Sequence, residues 1–202
     1  MLNKAAAFTK KVQRRLWMKY ALRGAGNDNH ARLDLAYRVE DPWNMESELE
    51  QARFEATNQI IVQAFGRVGS LLELGCGEGH QTQYLARVSQ AQYGVDISPQ
   101  AIERARLRMP QAHFAATDIF NLPWNRDDER FDLVTACEML YYLRDPAATI
   151  ARMRAIGRSG LVTLFAPACG VLGPHLDAIP GLHKDWFHHG RTAWLAAWWR
   201  DA

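Results

Sequence analysis

Residues 70–79, read as S-L-L-E-L-G-C-G-E-G, constrain this chain more than any other stretch. A short apolar run from Leu71 to Leu74 stops at Gly75. Glycines follow at Gly77 and Gly79, and a helical-looking segment runs from Gln81 to Arg87. Strand, glycine turn and helix in that order bring a ligand against a helix N-terminus. Gly75 and Gly77 reach backbone angles closed to other residues and carry no Cβ to block close approach. The spacing narrows the ligand. A dinucleotide fingerprint reads G-x-G-x-x-G; here the third glycine comes one residue early, and an acid, Glu73, stands two residues before the first. That acid would repel a diphosphate and suits a cationic ligand bearing a sulfonium and an amino group. A glycine turn in some other α/β protein is the alternative that the motif alone leaves open.

E-L-G-C-G-E-G resembles motif I of the class I S-adenosylmethionine-dependent methyltransferases. The resemblance covers about residues 46–202. It implies an α/β fold: a Rossmann-like seven-stranded mixed sheet with helices on both faces and a C-terminal antiparallel hairpin. It implies S-adenosyl-L-methionine as cofactor and S-adenosyl-L-homocysteine as product. It also implies that Glu73, Gly75, Cys76, Gly77 and Gly79 surround the cofactor, with Cys137 at the end of a later strand. His80 follows the loop and is grouped with the substrate side.

The rest of the chain has room for that fold. With 202 residues, 48% of them apolar, it can bury one sizeable core. A net charge of +2 says little about partners. Three cysteines, Cys76, Cys137 and Cys169, are odd in number and lack metal-ligand spacing, so they read as reduced thiols in a cytoplasmic protein. Nothing approaches the length of a membrane-spanning helix, and the N-terminus does not read as a signal peptide. Residues 1–30 form a basic leader, with Lys4, Lys10, Lys11, Arg14, Arg15, Lys19 and Arg23 and no acid before Asp28. A helix there suits peripheral contact with a membrane surface or an anionic carrier, or is simply solvated. Residues 31–202 form the catalytic domain, with a lid and first helix over 31–66. The helix spans Glu46 to Phe65, and Leu49, Phe54, Ile60, Ile61 and Phe65 are its expected buried residues.

Beyond the glycine turn, Gln92–Ile97 reads as a second strand, and Ser98-Pro99 opens a helix that runs to Arg108. Asp96 ends the strand 21 residues after Gly75, where an acid accepts both ribose hydroxyls. Dehydrogenases share that feature; an acid capping a turn is the plainer alternative. His113–Ala116 is the third strand. The resemblance places Asp118 at the adenine amino group and the Ile119 backbone N–H at a ring nitrogen, with Ile97 beside the ribose acid. Asn121-Leu122-Pro123-Trp124 resembles a loop of small-molecule methyltransferases rather than the N-P-P-Y motif of enzymes acting on DNA bases. Phe131–Cys137 is the fourth strand, 146–156 a helix, Leu161–Phe165 the fifth strand and Gly173–Ile179 a helix. Asp185–His189 and Thr192–Trp199 form a hairpin at Gly190. Strand alternation sends His188 and His189 to opposite faces, so no metal site is expected there.

Methyl transfer from a sulfonium needs alignment and exclusion of water, and a base only where the acceptor is protonated. Glu138, just past the fourth strand, is the candidate base; a structural acid bonding nearby N–H groups is the alternative. Tyr142, four residues on, shares its face on a helical turn, and Tyr141 and Tyr142 can orient an amine or hydroxyl and face a cation. D-P-W-N at 41–44 and C-E-M-L-Y-Y-L-R-D at 137–145 resemble the NodS-like nodulation-factor N-methyltransferases, which methylate an amino-sugar nitrogen. That resemblance implies a saccharide or glycolipid acceptor, with Trp43 and Asn44 in the lid over it. A non-catalytic cofactor-binding module and a nicotinamide dehydrogenase are the competing readings. Basic residues outside the leader are scattered among acids, which argues against nucleic acid.

Overall fold

The structure, a computed structural model, describes residues 13–14, 16–124 and 129–201. The leader's Lys4, Lys10, Lys11 and Arg15 lie outside the described residues, as does 125–128 of the charged loop. Seven strands form one sheet: β1 (Val68–Leu74), β2 (Ser89–Asp96), β3 (His113–Ala116), β4 (Leu133–Cys137), β5 (Ser159–Phe165), β6 (His183–His189) and β7 (Thr192–Arg200). Their order is β3-β2-β1-β4-β5-β7-β6. Strands β1 to β5 run parallel, and β7 lies antiparallel between β5 and β6, which makes the expected C-terminal hairpin.

Alternation along the strands sorts the core onto two faces. Leu71 of β1 packs on one side with Leu133, Leu161 and Ala196, under Ile60 and Ile61 of α2 (Glu48–Phe65) and Leu85 of α3 (His80–Leu85). Its neighbours Leu72 and Leu74 pack on the other with Val134, Val162 and Trp199, under Met153 of α5 (Pro146–Ile156) and Leu176 of α6 (Cys169–Asp177). Both faces are covered, which is why the central strands read as continuous apolar runs. Helix α4 (Pro99–Arg108) closes a third cluster, Ile102 and Ala105 against Phe114 and Cys76. A short α1 (His30–Ala36) lies between the helical leader segment at 16–21 and α2.

Local chemistry sets the helix starts. The hydroxyl of Ser98 accepts from Ala101 N at 3.3 Å with Pro99 in the first turn, and Asp145 does the same for Ala148 N at 2.8 Å before Pro146. Two expectations need correction. In α2, Leu49 and Phe65 are only half-buried; the inward face is Arg53, Phe54, Thr57, Asn58, Ile60 and Ile61. Helix α6 begins at Cys169 rather than Gly173, with Pro174 inside it. The residue before a proline is normally pushed out of the α region by its own Cβ, and Gly173 has none. His189 reaches within 3.9 Å of Glu48, and no group of His, Cys, Asp and Glu that could hold a metal occurs among the described residues. No described helix is long and apolar enough to cross a membrane.

The chain leaves β1 towards β2 and β3, then returns to β4 on the other side of β1. The connections after β1 and β4 therefore diverge, and a crevice opens beyond their C-terminal ends.

Candidate active site

A cavity of about 410 Å³ fills that crevice. Its floor comes from the segments that follow β1, β2, β3 and β4, and its roof from Tyr37, Pro42, Trp43 and Met45. Of the residues singled out from sequence, Glu73, Gly75, Cys76, Gly77, His80, Asp96, Ile97, Asp118, Ile119, Cys137, Glu138, Tyr141, Tyr142 and Trp43 all line it. Gly79 and Asn44 do not line it. Gly79 faces Ala105 and Phe114 at ordinary contact distance, and its φ of 79° is what favours glycine there. Asn44 sits in the turn beside Trp43 with φ 62°.

The glycine loop must be glycine where it approaches its neighbours. A Cβ at Gly75 would lie 3.0 Å from Met139 Cβ, and one at Gly77 would lie 2.8 Å from the Tyr37 hydroxyl. Both residues have positive φ. Asp96 braces this loop. Its Oδ2 accepts from Gly77 N at 3.0 Å and from the Tyr37 hydroxyl at 3.5 Å, and its Oδ1 accepts from Ser98 N at 2.9 Å. Burial pushes its pKa up to about 6, against the pull of those donors. Asp118 Oδ1 accepts from Phe120 N at 2.8 Å and Asn121 N at 3.1 Å, which folds the turn after β3.

At the other end lies a polar corner in which Glu73 was expected from sequence, His80 was expected on the substrate side instead, and Arg53 and Gln81 were missed. Arg53 of α2 is 2% exposed. Its Nε donates to Glu50 at 2.7 Å, its Nη1 to Gln81 Oε1 at 2.9 Å, and its Nη2 faces the Met45 sulfur at 3.9 Å. Beside it, His80 Nε2 and Gln81 Nε2 are buried with no hydrogen-bond partner. Burial and then Arg108 lower the His80 pKa, so its imidazole is neutral at pH 7. Glu73 accepts from the Thr82 hydroxyl at 2.5 Å. Burial raises its pKa to about 8, opposed by Thr82 and Arg53. A guanidinium, an amide and an imidazole in one corner fit a carboxylate, and Glu73, neutral on its own at pH 7, fits an ammonium whose charge draws off its proton. Asp96 fits a pair of hydroxyls. These donors and acceptors thus match the amino-acid end and the ribose of S-adenosylmethionine. Arg53 carried no signal in the sequence, because an arginine on an amphipathic helix reads as solvated; only the partners Glu50 and Gln81 make its burial tolerable.

Glu138 occupies the middle. It follows β4 with φ 57°, a left-handed conformation costly for a non-glycine residue. Two bonds to the end of β5 hold it there: Glu138 N donates to Thr163 O at 3.0 Å, and Phe165 N donates to Glu138 Oε2 at 3.2 Å. Oε1 is buried without a hydrogen-bond partner, and so is the Thr163 hydroxyl. Burial dominates and raises the Glu138 pKa to about 7. The following residues make only a 3₁₀ turn, Leu140–Tyr142. The hydroxyl that reaches Glu138 is therefore that of Tyr141, at 3.4 Å, rather than that of Tyr142. Tyr142 instead stands between rings, 4.7 Å from Tyr141 and 5.7 Å from Trp43, and Trp43 lies 6.4 Å from Tyr37.

The model of the family described as Nodulation protein S (NodS) matches residues 25–188. Nodulation protein S of Bradyrhizobium diazoefficiens is 36% identical over 142 residues, which are 70% of this chain and 65% of that protein. The Rhizobium tropici protein of the same name is 32% identical over 142 residues, 70% of this chain and 57% of that protein. The matched region thus spans somewhat less than two thirds of these relatives' length. The crystal structure of N-methyltransferase NodS from Bradyrhizobium japonicum WM9 in complex with S-adenosyl-L-homocysteine superposes with a TM-score of 0.70 at 24% identity, covering 85% of this chain and 97% of that one. With the family model and the relatives in agreement, the chain belongs to the family described as Nodulation protein S (NodS).

Proposed function

We propose that this protein transfers a methyl group from S-adenosylmethionine to the nitrogen of a small polar amine, an amino sugar or its glycolipid. The observation that carries the acceptor class is Glu138: a strained, enclosed carboxylate with one oxygen unpartnered, in a cavity wall rich in acids and aromatic rings. S-adenosylmethionine supplies a methyl group already activated on a sulfonium. The chain's residues then have three tasks. Asp96 accepts from the ribose hydroxyls, Asp118 and the Ile119 backbone take the adenine edge, and Arg53, Gln81, His80 and Glu73 take the amino-acid end. Glu138, steadied by Tyr141, holds an ammonium and removes its proton, which frees the lone pair. Tyr142 and Trp43 offer ring faces to the cationic acceptor, and the roof residues exclude water.

The test is incubation with S-adenosylmethionine and either glucosamine or N-acetylglucosamine. Release of S-adenosylhomocysteine with glucosamine alone is the expected result; equal release with both would move the chemistry to a hydroxyl. Calorimetry with S-adenosylmethionine, S-adenosylhomocysteine and NAD separates the cofactor from the acceptor question. Binding of the adenosyl ligands with no turnover on any amine tested would favour a non-catalytic module.

The corner around Arg53 gives a further expectation. Arg53→Met weakens S-adenosylhomocysteine about tenfold or more, since a hydrogen bond to a charged group contributes roughly 1.5–3 kcal/mol. Binding of 5′-methylthioadenosine, which lacks the amino-acid end, changes less than about threefold in the same titration. Equal loss for both ligands would remove the assignment.

A second reading changes the acceptor to a glycolipid at a membrane. The described leader helix exposes Leu16 and Tyr20 beside Lys19 and Arg23, and Trp17 Nε1 donates to Ala36 O at 3.2 Å, which anchors it next to the roof. Flotation with phosphatidylcholine vesicles, with and without phosphatidylglycerol, decides it: binding to the anionic vesicles alone supports this reading, and no binding removes it.

A further inference from the structure

The glycine loop carries a charge for which methyl transfer has no use. Glu78, between Gly77 and Gly79, is 4% exposed. Its two carboxylate oxygens accept from the Asp41 backbone N–H at 3.0 and 3.2 Å, and Oε1 also accepts from Arg104 Nη1 of α4 at 2.6 Å. Arg104 Nη1 donates in addition to Val39 O at 3.0 Å. The Glu78 carbonyl takes Arg108 Nε at 2.9 Å, so the loop is tied to α4 twice. One ion pair, buried on its Glu78 side and partly exposed at Arg104, therefore joins the loop, α4 and the roof segment. A charge so buried persists only when donors meet it, as here.

What the pair holds is a turn with an unfavourable backbone. Asp41 has φ 44° and Asn44 has φ 62°, both left-handed and neither glycine. Asp41 Oδ1 accepts from Met45 N at 2.6 Å, which closes the turn locally. Local closure alone leaves the turn free to swing as a unit; the Glu78 carboxylate on Asp41 N fixes it against the core. Trp43 lies inside that turn, against Tyr142 and Tyr37. Tyr37 in turn touches Asp96 and Gly77. The roof thus meets the glycine loop at two adjacent residues, Gly77 through Tyr37 and Glu78 through Asp41.

We propose that Glu78 and Arg104 are positioning residues: they clasp the Trp43 turn to the glycine loop, so that a ligand seated on the loop stabilises the closed roof over the acceptor. The proposal rests on the cofactor reading above. Because binding and closure are linked, the coupling is reciprocal: what closes the roof also tightens the ligand, by the same factor.

The test is amide hydrogen exchange across residues 37–46, with and without saturating S-adenosylhomocysteine, in the full chain and in Glu78→Ala and Arg104→Gln. Arg104 is partly exposed and glutamine keeps an N–H donor for Glu78, so its replacement disturbs the fold less than Glu78→Ala does. In the native chain the ligand is expected to slow exchange about tenfold, and to protect the bond after Arg38 from trypsin. In both variants the ligand-dependent protection falls below about twofold, and affinity for S-adenosylhomocysteine falls by no more than about tenfold, the factor that reciprocity allows. A merely structural pair would lower the melting temperature and leave the ligand-dependent protection intact; that result overturns the proposal. So does a native chain that binds the ligand calorimetrically without gaining protection. Absence of any binding to the native chain overturns the cofactor reading itself, and the clasp with it.

Discussion

Asp96→Ala is expected to weaken S-adenosylhomocysteine binding about 100-fold in a calorimetric titration at pH 7.5. The ionised carboxylate sits at the C-terminal end of β2, in the crevice where the strand order reverses. Two hydrogen bonds from neutral hydroxyls to a charged acceptor contribute roughly 1.5–3 kcal/mol each, and alanine removes both. It also strips the brace from Gly77 N and Ser98 N, so part of the loss comes through the loop. Asp96→Asn separates the two contributions. It keeps an acceptor for Gly77 N, and an intermediate loss is expected. The pH dependence gives a second check. The folded pKa, about 6, lies above the usual 3.8. The neutral form thus stabilises the ligand-free fold; that contribution is complete below about 3.8 and is lost as pH rises through about 6. Binding runs the other way: affinity rises with pH up to about 6 and levels off, and the step disappears in Asp96→Ala. Unchanged binding in Asp96→Ala would leave Asp96 as a turn-capping acid and move the ribose elsewhere.

The order of elements was legible because each is announced by local chemistry. The apolar run broken at Gly75, the Ser98-Pro99 start and the glycine at position 190 each depend on residues adjacent in the chain, and each is found where the pattern puts it. The positions of Asp96 and Glu138 were legible for the same reason: both stand at strand ends, and in an open α/β sheet those ends meet at one crevice. What stayed hidden depends on partners distant in sequence. Arg53 becomes an interior residue through Gln81, 28 residues on, together with its helix neighbour Glu50. Tyr37 matters through Asp96 and Gly77. Glu78 reads as a loop acid until Arg104 and Asp41 are seen around it. Tyr141 displaced Tyr142 as the partner of Glu138 because the left-handed φ at Glu138 keeps that residue out of the helical turn, a backbone fact that no side-chain spacing reports.

Glu138→Gln is expected to lower kcat with glucosamine about 100-fold while S-adenosylhomocysteine affinity stays within about threefold, in line with the 10²–10⁴ that a positioned general base contributes. Glutamine keeps the size and an acceptor for Phe165 N, so the turn after β4 is preserved. What it loses is the site for the proton. With a pKa raised to about 7, Glu138 is ionised in a useful fraction at neutral pH, yet basic enough to take a proton from an ammonium. The wild-type kcat therefore rises with pH up to about 7 and then levels, and the variant shows no such limb. Stability distinguishes this from a structural acid. The raised pKa means that the carboxyl favours the fold in its neutral form, a contribution present in full below about 4.5 and lost as pH rises through about 7. Glutamine stays neutral, so at pH 8 the variant should melt no lower than wild type, and higher if the buried charge is the dominant strain. A variant that melts lower but turns over at the wild-type rate would make Glu138 a brace for β5. The proton would then have to leave the acceptor for solvent, and the acid-rich wall would serve only to attract a cation.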